Sequence, residues 1–117
     1  MKRLVLAVAG SLTLAIGFAA AQSGSFSGEI MDSACANMGS HEGMMKQHAN
    51  IKDAKGCTLG CVKGGAKFVL YDATSKKVYQ LDDQDKPRQF AGAAVKVTGT
   101  LDKANSTIHV TDIQSGS

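Results

Sequence analysis

The chain has 117 residues but no tryptophan and a single proline, and aromatic side chains make up only 5% of it. A barrel or groove that stacks unpaired bases needs aromatic platforms and a basic lining. Neither is plentiful here. Charge of one sign is also lacking, with 13 basic side chains against 10 acidic ones. Lys2 and Arg3 lie in an N-terminal leader described below; without residues 1–21 the balance is 11 to 10. A chain so close to neutral has no electrostatic footprint for nucleic acid. No glycine-rich phosphate loop is present, and no Ser/His/Asp set is suggested by spacing. Asp82, Asp83 and Asp85 have no glycine among them and do not match a calcium loop. They read as a solvated turn that caps a short helix opened by Pro87. There is no internal repeat and no heptad.

The only long apolar run lies at the start. Met1-Lys2-Arg3 is basic, Leu4 to Ala20 is apolar, and Ala19-Ala20-Ala21 is a small-residue cleavage site. That order is a secretory signal peptide over residues 1–21. The run is short for a membrane span, and no cysteine follows the cleavage site to carry a lipid. The expected product is residues 22–117, periplasmic or secreted, with no membrane attachment after cleavage. Its three cysteines would then meet an oxidising compartment. A domain of about a hundred residues can fold alone but buries a modest core, so a disulfide or metal would help it.

Beyond a polar lead at Gln22–Ser25, the pattern alternates. Phe26, Gly28 and Ile30 interleave with Ser27, Glu29 and Met31, which predicts a first strand. Residues 33–65 break the alternation with frequent glycine and few strand formers. Helical turns are expected at Glu42–Ala49 and at about Cys57–Lys63, the latter stopped by Gly64-Gly65. Strands follow at Lys67–Tyr71 and Lys77–Leu81. Pro87 is placed to open a short helix and Gly92 to close it. Val95, Val97, Gly99 and Leu101 then alternate with polar partners, and Ile108 and Val110 do so again, leaving His109 on the outward face. Five strands with a short helix between the third and fourth predict a mainly β chain, a small five-stranded OB-like barrel with a short-helical insertion between strands 1 and 2.

Three stretches carry a resemblance: Gly28-Glu29-Ile30-Met31-Asp32-Ser33, Val78-Tyr79-Gln80-Leu81, and Phe90 to Leu101. Together they resemble a family of uncharacterised secreted bacterial proteins, a domain of unknown function with an OB-like fold. Its members carry a Cys/His-rich insertion between the first two strands. The resemblance runs from about Ser25 to Ile113. It implies the fold and no particular activity.

Chemistry concentrates in the insertion. Cys35, Met38, His41, Met44, Met45, His48, Cys57 and Cys61 all fall within residues 35–61, including every cysteine of the chain. Cys57 and Cys61 are four apart, so a helix puts both sulfurs on one face, a turn from each other. Such a pair can share a metal ion but is poorly placed for a mutual disulfide. Cys35 can reach them if the helix packs across the barrel mouth. Three Cys and one His make a four-coordinate zinc site, and copper(I) accepts thiolates, imidazole and thioethers. Met38, Met44 and Met45 tilt the reading slightly toward copper. His41 is the expected imidazole ligand, with His48, Met44 and Met45 in reserve. The Cys57-x-x-x-Cys61 spacing is not a common paired zinc pattern.

The competing reading is a staple, Cys35 bonded to Cys57 or Cys61, worth about 3–4 kcal/mol in the chain-entropy model. The odd cysteine count leaves a thiol over. A thiol redox protein is a third possibility and needs a low-pKa cysteine. The sequence thus reads as a binding protein rather than an enzyme. Its expected partner is a metal ion or an unidentified small ligand, and nothing in the pattern selects an oligomeric state.

Overall fold

The computed structural model describes residue 10 and residues 21–116. The leader read from residues 1–21 therefore lies outside the described residues, apart from Gly10 and Ala21. Nine elements follow in order: β1 (Gln22–Asp32), α1 (Ser33–Met38), α2 (Glu42–Gln47), α3 (Ala54–Lys63), β2 (Phe68–Asp72), β3 (Lys77–Leu81), a 3₁₀ turn (Lys86–Phe90), β4 (Ala94–Asp102) and β5 (Thr107–Ser115). The architecture is mainly β: a closed barrel in the order β1-β2-β3-β5-β4, with short helices between the first two strands. All neighbours run antiparallel except β3 and β5, which are parallel.

The long first strand closes the barrel by changing partner. Its N-terminal part pairs with β4 from Gln22 to Glu29, and its C-terminal part pairs with β2 from Glu29 to Asp32. The polar lead Gln22–Ser25 is thereby drawn into the strand. Ladder bonds to β4 make it a strand despite its composition, so β1 starts four residues earlier than alternation predicts. A β-bulge between Thr98 and Gly99 bends β4 against β5, and a Cβ at Gly99 would run into the His109 backbone.

Alternation then sorts side chains into two cores. Ile30, Phe68, Leu70, Leu81, Val95, Val97, Leu101, Ile108 and Ile113 point into the barrel. Their neighbours Met31, Val69 and Tyr71 point outward, yet they are buried too, because the insertion covers that face together with Cys35, Ala36 and Cys57. Strands β1 and β2 are thus dry on both sides where they meet the helices. Helix α3 serves both cores. Leu59 and Val62 pack on the barrel core, while Cys57 and Cys61 turn to the outer one.

The capping residues decide where the helices begin. Asp53 accepts the Gly56 N–H at 2.7 Å, so α3 starts three residues before the expected Cys57. Asp32 accepts the Cys35 N–H at 2.9 Å and opens α1, a helix the periodicity does not predict. Gly39 closes α1 with φ +79°. Gly92 also has positive φ (+74°), and a Cβ there would meet the backbone of Ala54 and Lys55. That close approach seats the start of α3 against the barrel.

The acidic turn divides its work. Asp83 accepts the N–H groups of Asp85 and Lys86 at 2.8 and 3.0 Å and caps the 3₁₀ turn, as the sequence suggests. Asp82 reaches across to β5 instead, accepting the Val110 N–H at 2.8 Å and lying 3.1 Å from His109 Nδ1. Among the described residues no helix is long and apolar enough to cross a membrane.

Candidate metal centre

The end of β1 and the middle of α3 meet in the outer core. Asp32 ends the strand, and Cys35 follows one helical turn later as its capped N–H partner. From α3, Cys57 and Cys61 come off one face a turn apart, as their spacing predicts. One donor atom each from Asp32, Cys35, Cys57 and Cys61 all lie within 4.8 Å of one another. Asp32, Cys35 and Cys57 are 0% exposed, and Cys61 is half-buried. All three cysteines are free thiols, and the Cys35 and Cys57 sulfurs are 3.6 Å apart.

Two polar atoms here lack partners. Asp32 uses Oδ2 to cap α1, but Oδ1 is buried and makes no hydrogen bond among the described residues. The hydroxyl of fully buried Thr58, next to Cys57 on α3, is likewise unpartnered. A buried, unsatisfied oxygen costs about 1–3 kcal/mol. A carboxylate oxygen of Asp32 and three sulfurs within reach of one another have the chemistry of a cation site. The cluster can therefore hold a metal ion.

Two of the thiols are held in the protonated form. Burial pushes the Cys61 thiol up to about 11, helped by the negative charge of Asp32 and by Cys57. Burial raises Cys35 further, and the neighbouring Cys57 thiol and Asp32 add to the effect. A thiol that stays protonated at neutral pH is a poor nucleophile. A metal ion would reverse this by binding the thiolate.

The other sequence candidates scatter. His41 is not in the cluster: its ring is buried beside Glu29, with Nε2 3.5 Å from Oε1, on the wall of a separate cleft. Asp32 stands as the fourth group instead. Met44 and Met45 pack against the outer core. His48 is exposed just after α2, and Met38 is 55% exposed. Asp32 did carry a signal in the sequence. An aspartate at the end of an alternating strand, three residues before a cysteine, is an N-cap pattern.

Comparison with known proteins covers part of this. None of the curated proteins and none of the solved structures matches the chain. A family match covers a shorter span than the expected Ser25–Ile113, one that includes Cys61 but not Asp32, Cys35 or Cys57. Residues 61–115 are similar to the family described as Protein of unknown function (DUF5818), a match that takes in strands β2 to β5.

Proposed function

We propose that this is an exported metal-binding protein, an OB-like barrel whose insertion holds one zinc ion through Asp32, Cys35, Cys57 and Cys61. The observation that carries the reading is the group itself, whose four donors all lie within 4.8 Å of one another, at an aspartate whose Oδ1 is buried with no hydrogen-bond partner among the described residues. Three thiolates and a carboxylate suit a four-coordinate borderline ion. Copper(I) prefers a softer set, and the exposure of Met38 removes one of the thioethers that favoured it. Export rests on the leader pattern of residues 1–21, with the periplasm or the exterior as destination. OB-likeness is supported by the strand order and by the parallel β3–β5 closure.

The test is the mass and metal content of the protein produced with its leader intact. The expected product lacks residues 1–21 and carries one zinc, with three alkylatable thiols once the metal is removed. A Cys57→Ser/Cys61→Ser protein that bound zinc as tightly as wild type would overturn the reading. A second reading is favoured by the 3.6 Å approach of the Cys35 and Cys57 sulfurs. Oxidised, that pair would staple α1 to α3 and leave Cys61 free. A metal-free mass two hydrogens light, with one alkylatable thiol, would establish it.

A further inference from the structure

Only one member of the cluster reaches solvent. Asp32, Cys35 and Cys57 are fully buried, so an ion entering the group must pass Cys61. Cys61 also forms part of a surface pocket of about 300 Å³ whose other walls are Met44, His48, Ile51 and Gly60. Two of these side chains are metal donors, a thioether and an imidazole. Among the described residues the His48 ring makes no hydrogen bond. Gly60 sits at the mouth, where there is room: a Cβ there would meet only Ile51 Cδ1, at 3.9 Å. A glycine in the body of a helix costs stability relative to alanine, and here it borders the pocket that leads to the thiols.

We propose that this pocket is the port through which zinc enters and leaves the buried site, with His48 and Met44 as transient ligands that hold the incoming ion while it exchanges water for Cys61. The inference rests on the zinc reading above. No electron moves in the step. The ion sheds its waters, and each thiol that binds it gives one proton to the solvent.

The experiment uses reduced, metal-free protein and Zn²⁺ alone. It compares wild type with His48→Ala, Met44→Leu and Gly60→Phe. Zinc uptake is timed by competition with a chromophoric chelator, final stoichiometry is read by native mass, and Cys61 labelling by iodoacetamide is mapped in the metal-free protein. Removing a donor is expected to slow zinc uptake about tenfold, with stoichiometry unchanged and Cys61 labelling no slower. Gly60→Phe is expected to slow both uptake and labelling, because it fills the mouth. Stoichiometric zinc binding with every variant within about twofold of the wild-type rate would overturn the port and leave the zinc site standing. Wild-type protein that takes up no zinc would overturn both.

Discussion

Asp32→Asn separates the two jobs of one buried side chain. In the native chain Oδ2 caps α1 through the Cys35 N–H at 2.9 Å, while Oδ1 has no partner. Asparagine keeps an acceptor for the cap, so the loss of about 1 kcal/mol expected of a capless alanine does not apply. It also replaces the unpartnered oxygen with an amide NH₂, for which the surrounding sulfurs are weak acceptors. In metal-free protein the substitution should therefore stabilise by about 1 kcal/mol, since leaving an acceptor buried and unsatisfied costs about 1–3 kcal/mol. For a domain of this size that is a rise in Tm of about 4–8 °C. With zinc the sign reverses. Wild type should gain about 4 kcal/mol at a thousandfold excess over Kd, and Asp32→Asn should gain far less because a donor is gone. Thermal melts of the reduced protein, in chelator and then in excess zinc, give both numbers. If Asp32→Asn lowered the metal-free Tm and gained as much from zinc as wild type, Asp32 would be a helix cap and nothing more.

Other substitutions probe the frame around the site. His41→Ala should leave zinc affinity unchanged by titration, because His41 lies beside Glu29, outside the cluster. Gly92→Ala should destabilise by about 2 kcal/mol or more in urea melts, since it combines a positive φ with a clash against the start of α3, and it should weaken zinc binding with it. Gly60→Ala should stabilise by about 0.5–1 kcal/mol, as the added methyl makes ordinary contact with Ile51 in an exposed helix position. The Val110 N–H and then His109 hold Asp82 below its ordinary carboxylate value, so its contribution is complete above the unfolded pKa of about 3.9 and is lost as pH falls through the lower folded value. Acid unfolding of Asp82→Asn should accordingly be less steep than that of wild type in the range below that pKa.

Much of the barrel was legible because strand patterns are local. Val95 to Leu101 alternates with period two within a few residues, Phe68 to Tyr71 is a short run of strand formers, and the Pro87 turn announces itself by its proline. The four-residue spacing of Cys57 and Cys61 likewise placed both sulfurs on one helix face before any packing was known. What alternation missed has non-local causes. Gln22–Ser25 are strand because β4 pairs with them. Met31 is buried although it points away from the barrel, because the insertion folds over it.

The same division holds at the site. Composition marks out a soft-donor segment, and spacing alone pairs two thiols on α3, since helix geometry follows from it. Which strand end meets that helix depends on packing. By seating α3 against Gly92 and the end of β1, it brings Cys35 and Asp32 to Cys57 and Cys61 and leaves His41 with Glu29. A fourth donor depends on the distance between elements far apart in the chain, and only the closed barrel sets that distance.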